Sequence, residues 1–257
     1  MPRTPPSLPL SGWYVISLRP LGQHGALRRG AAKLGARTFA LSTLRLQAQA
    51  AGEALADALH CPRVIATSPA AVRFAHAQRR LHARAGQQWF APGAGTGAAL
   101  RRAGIDYVHY PVGEAGADAL LDDALLQSLR GARIGVLTAP GGRDRLQEEL
   151  RARGAKLSVA EVYRREPAPP APERLRKLAR LPARSALMLS SGEALNVLWE
   201  ALDADGRARL CRRSCVASSA RLEAQARRLG FTALVRAASA RPEQLLDALA
   251  THAASFR

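Results

Sequence analysis

The chain alternates short apolar runs with stretches in which apolar residues recur every three or four positions. The run "WYVIS" is followed by "GALRRGAAKLG", and "RIGVLT" is followed by "RDRLQEELRARG". The first member of each pair is typical of a buried strand and the second of an amphipathic helix. Strands that alternate with helices of about ten to fifteen residues indicate a parallel sheet with helices on both faces. We therefore predict an α/β fold.

The repeated strand and helix units form two similar sets. "VIATSPAAV" is similar to "LMLSSGEAL", and "APGAGTGAALRRAG" is similar to "VASSARLEAQARRLG". The unit at Trp13 is similar to the unit at Ile134, yet it comes first in one set and last in the other. This order predicts one domain inserted into another. The predicted parts are an outer domain (13–43 and 172–257), an inserted domain (48–160), interdomain linkers (44–47 and 161–171) and a disordered proline-rich tail (1–12).

The composition limits the classes of partner. The formal net charge is +18, which favours polyanionic ligands. Only three of the 38 basic residues are lysines. The excess of arginine and alanine is typical of a bias towards GC-rich codons, and this bias contributes to the positive charge. The basic residues are spread over helix faces, and no zinc-finger or RNA-binding motif accompanies them. We expect no nucleic-acid partner, although a nucleic-acid-binding protein remains an alternative that the charge alone would support.

Cysteine content and hydropathy predict reduced thiols and no membrane-spanning helix. The three cysteines have neither the number of a disulfide framework nor the spacing of a zinc site, so we expect no metal. No apolar stretch approaches the ~18 residues of a membrane helix, and no apolar segment of signal-peptide length is present. We expect a cytoplasmic protein without membrane contact. No long heptad demands a partner, so we expect a monomer.

The loops that follow the predicted strands carry the candidate ligand-binding groups. In an open parallel sheet these loops meet at the carboxyl edge, where ligands bind. Ser and Thr at such positions either cap the following helix or, with its amides, bind an anion, and both alternatives stay open. His24 is the only histidine on these loops, and we interpret it as a bystander. The candidates are Arg19, Ser68, Thr96, Arg143, Ser190, Ser191, Ser218 and Ser219.

An ordered set of motifs resembles one known family. The motifs are "SLRP", "TSPAAV", "GTGAAL", "APGGRDRLQEELRARGA", "AEVYRR", "LSSGEAL" and "SSARLEAQARRLG". Together they span nearly all of the chain after residue 12 and resemble the uroporphyrinogen-III synthase family. With the repeat pattern, the resemblance implies two similar flavodoxin-like domains with parallel sheets. One domain is inserted into the other, and a two-stranded linker joins them.

The resemblance implies a cofactor-independent lyase (a hydro-lyase) of haem biosynthesis. Its substrate would be hydroxymethylbilane, a linear tetrapyrrole with eight carboxylate side chains, received from the upstream synthase. The reaction would be a cyclising dehydration to uroporphyrinogen III, with inversion of ring D through a spiro intermediate. The alternative is a two-domain small-molecule anion-binding protein or sensor without turnover.

The resemblance also implies roles for particular residues. Tyr163 in "EVYRR" would be the catalytic residue that hydrogen-bonds the departing hydroxyl, the alternative being an aromatic that only packs at a domain junction. For such a substrate we further predict, from their positions on strand-end loops, that Arg19 and Arg143 receive carboxylates. Thr96, Ser68 and Ser190 match hydroxyl residues usual in the family. Ser218 and Ser219 stand where the family commonly has two threonines, and Ser17 also replaces a threonine, so these positions depart from its pattern.

Overall fold

The computed structural model describes residues 8–112, 116–141 and 144–255. By its internal contacts the chain divides into two compact units, Met1–Arg45 with Glu166–Arg257 and Leu46–Arg165. We call these the outer unit and the inserted unit. The boundaries given above for independently folding domains remain predictions.

The secondary structure follows the alternation of the sequence. The first elements are β1 (Tyr14–Ser17), α1 (Gly25–Lys33), β2 (Arg37–Ala40) and β3 (Leu44–Ala48). They are followed by α2 (Gly52–His60), β4 (Arg63–Ala66), α3 (Pro69–Gln78), β5 (Gln88–Phe90), α4 (Ala94–Arg102), α5 (Ala117–Leu121), a 3-10 turn (Ala124–Leu126), β6 (Arg133–Thr138), α6 (Asp144–Ala152) and β7 (Lys156–Glu161). The remaining elements are β8 (Tyr163–Pro167), α7 (Pro172–Ala179), β9 (Ser185–Leu189), α8 (Gly192–Ala201), α9 (Ala204–Cys211), β10 (Ser214–Ala217), α10 (Ala220–Arg228), β11 (Leu234–Arg236) and α11 (Pro242–Ala254).

The described part of the outer unit contains a parallel sheet in the order β11-β10-β9-β1-β2. Counted along this unit alone, that order is the flavodoxin-like 2-1-3-4-5 arrangement. The two faces of the sheet bury different side chains, because successive residues of a strand point in opposite directions. Ile16 and Leu187 pack on one face, whereas Val15 and Ala186 pack on the other. The predicted flavodoxin-like fold is confirmed here.

The described part of the inserted unit has a parallel sheet in the order β5-β4-β6-β7, the same arrangement with one strand fewer. Val64 and Ile65 bury their side chains on opposite faces of this sheet. A close approach of α2 to β6 explains a glycine in the middle of a buried strand. A Cβ atom at Gly135 would lie 2.0 Å from the carbonyl oxygen of Ala58.

The two chain segments that connect the units are paired. Strands β3 and β8 form a two-stranded sheet, as the sequence predicted. At its ends, the Gln49 N–H donates to the Val162 carbonyl at 3.1 Å, and the Ala168 N–H donates to the Thr43 carbonyl at 2.8 Å. These bonds satisfy backbone groups that an extended linker would otherwise expose to water.

Two features differ from the sequence-based expectation. Residues 8–12 do not form a disordered tail, because Leu10 is fully buried and its N–H donates to the Leu34 carbonyl at 2.8 Å. Apolar burial therefore holds this segment on the outer unit, and residues 1–7 lie outside the described residues. Helices α2, α5 and α9 were not identified from the sequence. None of the described helices is long and apolar enough to cross a membrane.

Candidate functional site

Paired threonines fix the carboxyl edge of the inserted sheet. The buried Thr67 hydroxyl, just after β4, directs its single proton between the Leu137 carbonyl and Thr138 Oγ1, each 3.1 Å from Thr67 Oγ1. These bonds hold the ends of β4 and β6 together. Ser68 follows at once and caps α3, because its Oγ accepts from the Ala71 N–H at 3.0 Å.

Tyr163 is buried at the same edge. Its side chain is 3% exposed, and its ring stacks on Phe74 with 5.3 Å between centroids. The phenolic oxygen lies 3.2 Å from Ser68 Oγ. The guanidinium of Arg165 lies 6.0 Å from the ring centroid. Tyr163 therefore packs as an aromatic and also directs its hydroxyl to the strand-end loop, so packing and a hydrogen-bonding role coexist in one side chain.

The other candidates in the inserted unit have separate positions. Thr96 is buried in the first turn of α4, and its N–H donates to the Gly93 carbonyl at 3.1 Å. Arg143 lies outside the described residues, so its expected role stays a prediction.

The serines of the outer unit lie at the carboxyl ends of β9 and β10. Ser191 Oγ accepts from the Ala194 N–H at 3.2 Å, and Ser219 Oγ accepts from the Leu222 N–H at 3.4 Å, so both cap helices. Ser190 and Ser218 precede these caps and are partly buried. A capping serine uses an oxygen lone pair, so its O–H can still donate to an anion. Capping and ligand binding are therefore compatible at these loops.

The Arg19 side chain is partly buried and makes a hydrogen bond within the outer unit that the sequence did not predict. Its Nη2 donates to the Ala240 carbonyl at 2.7 Å, which ties the loop after β1 to the loop after β11. Its Nε is one of two buried side-chain polar atoms without a hydrogen-bond partner in the described part of the chain. Burial lowers the pKa of this guanidinium, and the charge of Glu243 partly opposes the effect. Its expected contact with carboxylates stays a prediction.

His24 links two strand ends. The buried ring lies with Nδ1 2.8 Å from Ser17 Oγ and Nε2 2.8 Å from Ser42 Oγ. Burial lowers its pKa, and the positive charges of Arg28, Arg19 and Arg174 lower it further. A neutral imidazole offers one donor and one acceptor, which suits two hydroxyl partners. The histidine thus joins the ends of β1 and β2.

A cavity beside His24 contains residues that the sequence analysis missed. Its volume is about 560 Å³. Three of its lining residues, Arg28, Ser42 and Arg174, were not among the candidates. Arg174 donates from Nη2 to the Ala40 carbonyl, and the two residues are 134 positions apart in the sequence. A contact between such distant parts of the chain leaves no local signal in the sequence.

The described residues contain no group of three or more His, Cys, Asp or Glu side chains placed to hold a metal ion. The site chemistry carried by the described loops consists of hydroxyls, backbone amides, arginines and the imidazole of His24. These features define the class of the protein: a flavodoxin-like α/β protein of two units that present hydrogen-bond donors at the carboxyl ends of their strands.

Comparison with known proteins identifies the family. The family model described as uroporphyrinogen-III synthase HemD matches residues 25–247. The uroporphyrinogen-III synthase of Salmonella typhimurium is 36% identical over 195 residues, which cover 72% of this chain and 77% of that protein. The Escherichia coli K12 enzyme is 32% identical over 194 residues, with the same coverage of both chains. The chain belongs to the uroporphyrinogen-III synthase family and is an enzyme.

Solved structures agree in fold. The Helicobacter pylori uroporphyrinogen-III synthetase matches with a TM-score of 0.63 at 12% identity, over 95% of this chain and 100% of that one. A mutant uroporphyrinogen III synthase from Thermus thermophilus matches with a TM-score of 0.58 at 22% identity, over 96% of this chain and 100% of that one. At these identities the likeness shows the fold alone.

Proposed function

We propose that the chain converts hydroxymethylbilane to uroporphyrinogen III by a cyclising dehydration that inverts ring D. The family membership over residues 25–247 is the observation that carries this proposal. The hydroxyl pair of Tyr163 and Ser68 supplies a donor at a strand-end loop, where α/β folds bind ligands.

The proposed reaction releases one water. The hydroxyl leaves ring A with a proton, and the electrons of the pyrrole form an electrophilic azafulvene. Ring D attacks through its substituted carbon to give a spiro intermediate, which opens and closes again with ring D inverted. Loss of a proton from ring D restores its aromaticity and balances the proton taken by the departing hydroxyl.

Tyr163 is the proposed donor to the departing hydroxyl. Ser68 Oγ already accepts from the Ala71 N–H, and its own O–H can donate to the Tyr163 oxygen. In that arrangement the phenolic O–H is directed away from Ser68 and is available to the leaving group. Stacking on Phe74 restricts the ring, so the donor is held in place before the substrate binds.

Substrate positioning is the second proposed task. The linear tetrapyrrole cyclises without inversion when left alone, so the protein must determine which carbon of ring D attacks. Control of this kind comes from orientation of the reacting groups rather than from strong acids and bases. We propose that Arg19, Thr96, Arg143 and the strand-end serines bind the carboxylates. Serine hydroxyls and guanidinium groups form charge-assisted hydrogen bonds with such anions.

We also propose that the enzyme acts as a cytoplasmic monomer without a cofactor and receives its substrate from the upstream synthase. These proposals rest on the composition, the absence of a long heptad and the family resemblance. Sedimentation of the purified protein tests the monomer, and activity after dialysis against a chelator tests independence from metal ions.

One assay tests the reaction itself. The linear tetrapyrrole is generated in the same vessel by its upstream synthase, and the products are oxidised and separated by isomer. The expected product is the III isomer, in proportion to the amount of this protein added. Formation of the I isomer alone would contradict the proposal and favour an anion-binding protein without turnover.

A further inference from the structure

The cavity beside His24 lies where two neighbouring parallel strands end. Strand β1 ends at Ser17 and β2 ends at Ala40, and the loops that follow them form its walls. Gly22 lies in the first loop with φ of +81°, a left-handed conformation that glycine adopts without strain. The carboxyl ends of adjacent strands are the usual ligand-binding position in this fold. The cavity is therefore in the right place for a ligand of the outer unit.

The wall of this cavity carries net positive charge. Arg28 and Arg174 line it, and no Asp or Glu is among its described lining residues. Glu173 is paired with Lys177 at 2.6 Å and also interacts electrostatically with Arg174, so it offsets only part of the positive charge. Arg174 is held in place, because it donates to the Ala40 carbonyl and lies 4.6 Å from the centroid of the Phe39 ring. A fixed guanidinium and an exposed one in a concave site favour a carboxylate or a similar anion.

An apolar extension continues from this cavity. A second cavity of about 250 Å³ shares Leu21, Ser42 and Arg174 with the first. Leu21 is 71% exposed, so the apolar surface at the shared wall is open to water. The rest of the second cavity's lining is mainly apolar and includes one exposed charged residue: Leu41, Leu44, Arg45, Ala168, Pro169, Pro170 and Ala171. A ligand that filled both cavities would place an anionic group beside the arginines of the first cavity. It would place a small apolar group against the leucines and prolines of the second.

We propose that these two adjoining cavities bind one pyrrole ring together with its carboxylate side chains. The carboxylates bind Arg28 and Arg174, and the ring covers Leu21 and the proline wall. The Ser42 hydroxyl is a further donor in the tautomer in which His24 Nε2–H donates to Ser42 Oγ. This inference rests on the proposed function, since it assigns one ring of the linear tetrapyrrole to the outer unit. Its physical effect is to fix that ring, so that the chain between it and the reacting end has fewer conformations.

The first test is steady-state turnover of arginine variants of the full chain. Arg28→Gln and Arg174→Gln each remove one charge-assisted partner, and we expect KM to rise about tenfold or more. The matched controls remove the same charge from exposed positions outside the cavities, Arg180→Gln after α7 and Arg228→Gln on α10, and should leave KM unchanged. Arg174→Lys keeps the charge and should recover part of the lost affinity. Thermal unfolding of every variant identifies any loss of folding.

The outcomes separate this inference from the proposed function. If the wild type forms the III isomer and neither arginine variant raises KM above its control, the cavity assignment is overturned. If the wild type forms no III isomer, the proposed function fails, and binding decides the cavity assignment instead. The probe is then a monopyrrole with one acetate and one propionate side chain, titrated while side-chain NMR signals of arginine and histidine are recorded. Saturable shifts that Arg28→Gln abolishes and Arg180→Gln preserves would support the assignment, and no shift in the wild type would overturn it.

Discussion

The hydroxyl of Tyr163 lies 3.2 Å from Ser68 Oγ, although 95 residues separate the two along the chain. Ser68 simultaneously caps α3, so the hydrogen-bond partner of the phenol is held by the first turn of a helix. Ser68 therefore stabilises the start of α3 and also positions Tyr163, the residue proposed to assist departure of the substrate hydroxyl.

Replacement of Tyr163 by Phe tests the proposed donor. We expect kcat to fall about 100-fold, since proton donation of this kind contributes roughly 10²- to 10⁴-fold. The ring and its stacking on Phe74 remain, so the thermal midpoint should change little. The measurement is the rate of III-isomer formation with the substrate generated in situ.

Tyr110→Phe is the matched control. Tyr110 packs against Gly97 in the same unit, and the same atom is removed from it. This variant should keep the wild-type kcat. A Tyr163→Phe enzyme with unchanged turnover and intact folding would leave Tyr163 only its packing role.

Replacement of Ser68 by Ala separates the cap from the catalytic contact. Loss of the cap should lower the free energy of unfolding by about 1 kcal/mol. Loss of the hydrogen bond to Tyr163 should lower kcat about three- to tenfold. Asp203→Ala removes the cap of α9, where Asp203 Oδ1 accepts from the Gly206 N–H at 2.7 Å. Asp203→Ala should lower the free energy of unfolding by a similar amount and leave kcat unchanged. If Ser68→Ala and Asp203→Ala have the same kcat, the hydrogen bond between Ser68 and Tyr163 does not contribute to turnover.

Replacement of Gly135 by Ala tests the close approach of α2 to β6. The added Cβ would meet the Ala58 carbonyl oxygen at 2.0 Å, so backbone must move. We expect a destabilisation of about 3 kcal/mol or more. A Cβ at Gly95, in contrast, has open space around it, and Gly95→Ala should stabilise by about 0.5 kcal/mol. Chemical denaturation of both variants provides the comparison, and equal midpoints would contradict this packing.

The buried imidazole of His24 predicts an acid-sensitive stability. Its pKa is lowered in the folded state by burial and by Arg28, Arg19 and Arg174, so the unfolded chain binds the proton more readily. The free energy of unfolding should therefore fall as pH drops through about 6.5 and level off below the folded pKa. His24→Gln should show a smaller loss between about pH 7 and pH 5. Burial also lowers the pKa of His252, so part of the dependence should persist.

Denaturation midpoints measured across this pH range test the prediction. His252→Gln removes the contribution of His252, whose pKa is also lowered by burial. The variant that carries both His24→Gln and His252→Gln should have the weakest dependence of unfolding free energy on pH. Identical slopes for wild type and His24→Gln would show that folding does not lower the pKa of His24.

The sequence by itself determined the fold class and its internal symmetry. Alternating apolar runs and amphipathic helices depend on local spacing, and burial on both faces of a parallel sheet demands that spacing. The order of the two repeats was enough to predict that one unit interrupts the other. The serines before α3, α8 and α10 were also recognisable, because helix caps are specified by neighbouring residues.

Only the tertiary structure decided which distant groups meet. Leu10 lies in a proline-rich segment that suggested a disordered tail, yet contacts with the outer unit bury it. The partners of Tyr163, His24 and Arg174 come from other parts of the chain. Such contacts arise because folding places the ends of separate strands side by side, and no local pattern records which side chains then face each other.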